Sequence, residues 1–367
     1  MEGKCEESEN QDVEWDDLDE TELLRVVEDM QETTPSKRKN ELGANKNSPN
    51  KKQKPYHRRH DTSLPPLTRF RRGYLWVSDL SSQSWCEQQM EYNFVPPVEM
   101  EIVEKPVMTT GSNLHLAREL EVHDIIKIEV TSDEDILAIK VLNLLGAVTN
   151  LLAGIQVCRE IPIFGAPFGK GVFMMGMIDE IRGDPETFNF DILEFKTRQT
   201  NSFPSKAQKK THAIQVMIYK KLFDDIILGV TNKDLLIEHL GVDMNAELGK
   251  GVAQEVKKAS LSVQTLGELL DFTFDRVKSF PKISQLLVEY CYQEKGTTIG
   301  IESVPYDDVW LKEKFETFVD YWQGTRRAIG VDIEDAWKCH RCDFVDVCEW
   351  RKQKEEECRK NNNRKGR

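Results

Sequence analysis

The 367-residue sequence predicts an α/β fold in which a mixed sheet is flanked by helices. Three observations point there. Residues 171–198 read as a β-hairpin: an apolar run ending at Asp179, a turn at Gly183-Asp184-Pro185, and a return strand ending in Glu194-Phe195-Lys196. Helical periodicity stands on both sides of that hairpin, at 133–152 and 212–227. Helix-like patterns then dominate towards the C-terminus, which adds a helical C-terminal elaboration to the core.

In chain order, residues 1–65 are charged, poor in apolar clusters and punctuated by Pro, Asn and Ser, and are assigned to a disordered tail. Folded structure is expected from about Tyr74-Leu75-Trp76-Val77. A polar helix at about 83–92 carries Cys86 beside Trp85. Residues 113–121 read as a helix and 125–130 as a strand. Apolar residues at three- and four-residue spacing make 133–152 a long helix, and 157–164 is a strand leading into the hairpin. Further helices are expected at 212–227, 261–278, 283–292, 309–328 and in the charged C-terminal segment. The resulting division is a tail at 1–65, a folded domain at 66–352 and a charged tail at 353–367. Within the domain, the core covers about 111–230, a helical region about 231–338, and a cysteine triplet 339–348.

No apolar run is expected to reach transmembrane length, and the acidic N-terminus is unlike a secretory signal or a transit peptide, so mitochondrial targeting has no support. An intracellular protein is therefore expected, and the eight cysteines read as metal ligands or buried thiols rather than disulfides. The net charge of −13 is unevenly spread: −12 on residues 1–35, +10 on 36–73 and −11 on the rest. A mildly acidic body does not argue for nucleic acid, so any such contact must come from a local groove. Within the acidic segment, Trp15, Leu18, Leu23, Leu24, Val26 and Val27 are spaced among acids, the pattern of a segment that folds against a basic groove on a partner. Lys37, Arg38 and Lys39, then Lys51, Lys52 and Lys54, resemble a bipartite nuclear-import signal. They point to the nucleus, with a cytoplasmic pool besides.

The hairpin carries the first chemical signal. Glu194 and Lys196 are two apart on a strand and so share a face. Charges on so apolar a strand are costly unless something binds there. Two carboxylates converging with a lysine would hold a hard divalent cation beside a group that orients or deprotonates water. A half-exposed surface salt bridge is the competing explanation. The second signal is Cys339, Cys342 and Cys348, a C-x2-C-x5-C triplet that needs a fourth ligand from elsewhere. Cys86 is the candidate; His340, wedged between two cysteines, suits the role less well. The spacing alone leaves zinc and a [4Fe–4S] cluster both open. Joining Cys86 to the triplet would close a loop of roughly 250 residues, worth roughly 5 kcal/mol by loop-closure entropy. Gln215 and Tyr219 stand i and i+4 on one helical face, and His115 opens the helix at 113–121; each is weak alone.

Together, the upstream His115, Asp179, Glu194-x-Lys196 and Gln215-x3-Tyr219, enclosed by Cys86 and the triplet, resemble the RecB-like branch of the PD-(D/E)xK nucleases with an iron–sulfur cluster. Trp76-Val77-Ser78-Asp79-Leu80 before Trp85-Cys86-Glu87, and the run from Trp337 to Arg351, are similar to the eukaryotic exonuclease V (defects-in-morphology) family, over about residues 70–352. Ile178 departs from the proline of the literal motif, a position that is loose in this branch. The resemblance implies a restriction-endonuclease-like core stapled by the cluster. It implies that His115, Asp179, Glu194 and the Phe195 carbonyl bind Mg²⁺ (or Mn²⁺), that Lys196 positions water, and that Gln215 and Tyr219 orient the lysine and substrate. Cys86, Cys339, Cys342 and Cys348 would ligate [4Fe–4S]. The implied activity is metal-dependent hydrolysis of single-stranded DNA from an end, releasing short oligonucleotides, by a repair enzyme expected to be monomeric and free of membrane contact. The acidic segment would then dock a single-strand-binding protein. A catalytically silent binding module and an RNA nuclease are the alternatives.

Overall fold

Six strands make one mixed sheet, and the chain reaches it through a short helix and a short strand. The structure is a computed structural model that describes residues 58–97, 128 and 130–365. The acidic segment, both basic clusters and the 113–121 helix with His115 lie outside the described residues. Of the expected strand at 125–130, the described residues Ile128 and Val130 are not in a strand. Secondary structure begins earlier than expected: Arg58 and Arg59, inside the stretch assigned to the tail, are helical, and helix α1 (Pro66–Phe70), whose Phe70 is buried, follows. Strand β1 (Tyr74–Trp76) leads directly into α2 (Val77–Trp85). Asp79 explains that junction: its buried carboxylate accepts from the Trp76 N–H at 2.9 Å and from Arg71 Nε at 2.8 Å. The single polar helix expected at 83–92 is instead two, α2 and α3 (Glu87–Phe94), broken at an extended Cys86.

Helix α4 (Asp133–Leu152) follows, capped by Ser132 with three acids in its first turn to complement the helix dipole. Contrary to the expectation from sequence, it is long and apolar enough to cross a membrane by length and composition. Its stripe of Leu137, Val141, Leu144, Val148 and Leu151 is buried in the protein core.

Strands β2 (Val157–Gly165), β3 (Phe173–Asp184) and β4 (Asn189–Arg198) form an antiparallel meander. The expected hairpin is present, with its turn after Asp184 rather than at Gly183. Helix α5 (Lys206–Ile227) starts earlier than expected because Ser205 and Gln208 form a capping box. Two short helices, α6 (Lys233–Leu240) and α7 (Lys250–Lys258), precede α8 (Leu266–Lys278), which begins at its Thr265 cap rather than at residue 261.

The expected helix at 283–292 is wrong. Leu286–Tyr292 is strand β5, parallel to β4, and Thr297–Val304 is strand β6, antiparallel to β5. A seven-residue run that is mostly buried on both faces carries no alternation, so periodicity alone cannot tell it from a helix. The region 231–338 is therefore mixed, and its hairpin extends the core sheet. Helix α9 (Asp308–Trp322) ends near Gly324, whose φ of +76° suits a residue without a side chain. A 3₁₀ segment (Ile333–Arg341) leads to α10 (Glu349–Lys365), so the charged C-terminal segment is helical as expected.

The strand order is β1-β3-β4-β5-β6, with β2 on the other edge of β3. On the β1/β4 edge, β1 pairs with Phe173–Met175 and β4 with Glu180–Asp184. Residues 176–179 thus lie between two ladders, and β3 and β4 part at Asp179. That parting is where the charged residues gather.

Candidate active site

Asp179 stands where the β3–β4 ladder ends. Its Oδ2 accepts from the Phe195 N–H at 2.7 Å, which ties the two strands across the splay. Glu194 is fully shielded from solvent, and its Oε1 lies 3.1 Å from Lys196 Nζ and accepts from Gln215 Nε2 at 2.9 Å. The same Gln215 nitrogen donates to Tyr219 Oη at 3.2 Å. Gln215 and Tyr219 come from one face of α5, as their spacing requires, and both are buried. Five of the sequence-selected residues, Asp179, Glu194, Lys196, Gln215 and Tyr219, are thus one connected cluster. Of Phe195, the N–H is the group that meets Asp179.

Tight packing sets the cluster's geometry. A Cβ on Gly176 would lie 2.7 Å from the Tyr219 ring and 2.8 Å from Val77 Cγ2, so only glycine lets α2 and α5 close over β3 at this point. Behind Asp179, buried Glu180 is paired with Arg159 at 2.9 Å and with Arg182, and Arg182 reaches Glu289 at 3.3 Å. This network ties β2, β3 and β5 together beside the splay. Glu160, across β2 from Asp179, has φ +49°, a conformation that L-residues adopt sparingly and that concentrates at functional positions.

Two carboxylates are hard oxygen donors of the kind that Mg²⁺ takes, and they leave positions for water and phosphate. The donor set fits the ion. Among the described residues, no group of three or more His, Cys, Asp or Glu side chains could hold a metal ion by itself.

Sequence reasoning missed the aromatic flank. Tyr290 pairs in register with Lys196, and His212 Nδ1 lies 3.1 Å from Tyr290 Oη. Phe203, 45% exposed, sets its ring edge-on to Tyr290 at 5.8 Å, and Lys209 stands 5.0 Å over the same ring. Buried Arg198 holds the connecting loop by donating to the Ser202 carbonyl at 2.7 Å. A lone Phe in a polar loop gives no sequence signal until the fold sets it beside Tyr290.

The four selected cysteines line one pocket, together with Tyr92 and Phe344. Cys86 enters from the break between α2 and α3, and Cys339, Cys342 and Cys348 come from the 3₁₀ segment and the turn after it. Contacts between the two segments hold them in place. Trp85 packs on Trp337 at 5.8 Å, and Glu87 receives a bidentate pair from Arg326, both bonds at 2.5 Å. Burial, with the neighbouring thiols adding to it, pushes the Cys86 thiol up to about 12. Burial likewise raises Cys342 to about 11, and Cys339 also lies above its ordinary range. These three thiols ionise readily only with a cationic group beside them. The donor set fits a tetrathiolate centre.

Comparison with known proteins gives the following. The family described as "Exonuclease V - a 5' deoxyribonuclease" matches residues 65–191, 184–275 and 257–351. A Danio rerio protein, "Exonuclease V", is 36% identical over 298 residues, covering 80% of this chain and 75% of its own. The crystal structure of SSO0001 aligns with a TM-score of 0.37 at 14% identity, covering 76% of this chain and 87% of that one.

Proposed function

Because the chain belongs to the exonuclease V family of deoxyribonucleases, we propose that it hydrolyses single-stranded DNA from an end, at the Asp179–Glu194–Lys196 cluster, and acts in genome maintenance. The observation that carries this reading is Lys196 Nζ at 3.1 Å from the buried Glu194, beside Asp179 on the parting strand. Asp179 and Glu194 would hold Mg²⁺ (or Mn²⁺), with His115 and the Phe195 carbonyl completing the protein ligands. The bound ion would lower the pKa of water and neutralise charge on the scissile phosphate.

The chain's own residues do the rest. The Phe195 N–H and Gln215 Nε2 fix one oxygen on each carboxylate, leaving little freedom to rotate. Tyr219 fixes Gln215 in turn. The Lys196 ammonium is placed to orient water and to offset charge developing on the phosphate. Half-exposed Phe203, with Lys209 over its ring, supports a single strand as substrate. Unpaired bases stack on such a surface and a duplex hides them.

The cysteine pocket would hold a [4Fe–4S] cluster as a structural staple. Four sulfurs share one pocket, a donor set that zinc and a [4Fe–4S] cluster would both accept, and the resemblance to the branch with an iron–sulfur cluster selects the cluster. Nuclear import through Lys37–Lys39 and Lys51–Lys54, docking of a single-strand-binding protein by the acidic segment, and a monomeric state complete the reading.

The test uses protein purified without oxygen, incubated with Mg²⁺ and end-labelled linear or covalently closed circular single-stranded DNA, with RNA of the same sequence alongside. Metal-dependent loss of label from linear DNA alone is the expected result. Binding without cleavage by cluster-loaded protein would instead favour a silent binding module.

A further inference from the structure

Helix α4 carries one cation that its surroundings do not explain. Lys140 projects from an otherwise apolar stretch; its neighbours three and four residues away are Ile136, Leu137, Asn143 and Leu144, none of them acidic. Its ammonium lies 5.6 Å from the centroid of the Trp76 ring and takes part in no salt bridge among the described residues. The side chain is half-buried, and its partial burial pulls the Lys140 pKa below the ordinary lysine range. A cation–π contact compensates only part of the cost of burying a charge.

Trp76 is the second, independent observation. It is 6% exposed, and its indole Nε1, shielded from solvent, meets no hydrogen-bond acceptor. Buried donors without acceptors are rare in native structures, and each calls for an explanation. Here a half-buried ammonium stands 5.6 Å from the centroid of a ring whose buried N–H has no acceptor, and among the described residues neither group has an anionic partner.

Their place in the fold suggests the partner. Trp76 ends β1, in register with Met175, at one margin of the β3 edge that, among the described residues, pairs with no strand between the β1 and β4 ladders. Asp179 stands four residues further along β3, about 13 Å away at strand rise. Val77, next to Trp76, packs on Gly176 opposite the Tyr219 ring that leads through Gln215 to Glu194.

We propose that Lys140 and Trp76 form an anion subsite that binds a phosphate of the DNA strand at the end of this edge away from the scissile position. The proposal rests on the single-strand nuclease reading above. A phosphate oxygen supplies both things the pair lacks, an acceptor for the indole N–H and a counter-charge for the ammonium. The phosphate comes from one of two sources, an internal phosphodiester or a terminal 5′-phosphate.

The experiment measures binding of 3′-fluorescein oligodeoxythymidylates, with either 5′-hydroxyl or 5′-phosphate ends, by anisotropy in the absence of divalent metal. Full-length, cluster-loaded wild type is compared with Lys140→Met, Lys140→Arg and Trp76→Phe at several salt concentrations. Lys140→Met should weaken binding about tenfold or more and reduce the salt slope by about 0.7, the loss of one phosphate contact. Its thermal midpoint should rise, because an apolar residue replaces a poorly compensated charge. Lys140→Arg should keep the wild-type slope, and Trp76→Phe should weaken binding several-fold. A Lys140→Met effect confined to 5′-phosphorylated strands identifies the terminal phosphate, and an equal effect on both identifies the backbone. Wild-type affinity and salt slope in Lys140→Met overturn the subsite while leaving the nuclease reading intact. Loss of thermal stability together with unchanged affinity makes Lys140 structural. If wild type binds neither strand, the nuclease reading and the subsite fall together.

Discussion

Replacing Gln215 by leucine removes one side-chain nitrogen that holds two buried groups. Its Nε2 donates to Glu194 Oε1 at 2.9 Å and to Tyr219 Oη at 3.2 Å, and all three residues are almost fully shielded from solvent. A hydrogen bond to a charged group contributes about 1.5–3 kcal/mol, and its loss leaves a buried carboxylate with less compensation. Glu194 keeps Lys196, so the fold should survive, weakened by about 1–3 kcal/mol. The carboxylate loses its fixed orientation, however, and partners that orient a metal ligand typically account for about 10–100-fold in metal affinity or activity. The assay is the initial rate of single-strand cleavage across a Mg²⁺ titration. Gln215→Leu should need about 10–100-fold more Mg²⁺ for half-maximal rate. Tyr219→Phe, which deprives Gln215 of one partner only, should show a smaller shift in the same direction. An unchanged Mg²⁺ requirement in Gln215→Leu would refute the claim that Gln215 acts through Glu194.

Other outcomes follow from the same contacts. Phe203→Ala should raise the KM for single-stranded DNA with little change in kcat, by the roughly 1–3 kcal/mol of a base–aromatic stack, whereas Phe203→Tyr should match wild type. Gly176→Ala should cost about 1–3 kcal/mol of stability and lower kcat, because its methyl group displaces the Tyr219 ring that supports Gln215. Asp135→Asn should destabilise the protein at neutral pH. The Asp135 carboxylate is buried, but bonds from the Gly249, Thr131 and Ser132 backbone and from the Thr131 hydroxyl hold its pKa below the ordinary value. That contribution is present above the unfolded value of about 3.9 and is lost as pH falls through the lowered folded value. The difference between Asp135→Asn and wild type in denaturant melts should therefore shrink at low pH. Cys342→Ser, or removal of iron by a chelator, should bleach a brown preparation and lower the melting temperature; a colourless wild type containing zinc would contradict the cluster.

What could be read from sequence was what has short range. Glu194 and Lys196 share a face because they are two apart on a strand, and Gln215 meets Tyr219 because they are four apart on a helix. Helix α4 followed from periodicity. The failures also have physical causes. Strand β5 is buried on both faces and so lacks alternation, and β6 is a partly exposed edge strand with weak apolar content. The turn between them, ending in Gly296 at φ +59°, was the available hairpin signal. Helices α2 and α3 were merged because nothing local marks the extended Cys86 between them. Lys140 beside Trp76 and Phe203 beside Tyr290 depend on contacts between residues far apart in the chain. No spacing rule reaches them.

The central claim is that the Asp179–Glu194–Lys196 cluster performs the hydrolysis. Its most direct test is Mg²⁺-dependent cleavage of linear single-stranded DNA by wild type and by Asp179→Asn, Glu194→Gln and Lys196→Met, each with its thermal midpoint measured. Loss of about 10²-fold or more in each variant, with strand binding retained and each protein still folded, is the predicted result. Near-wild-type cleavage by any one of the folded variants would contradict the account.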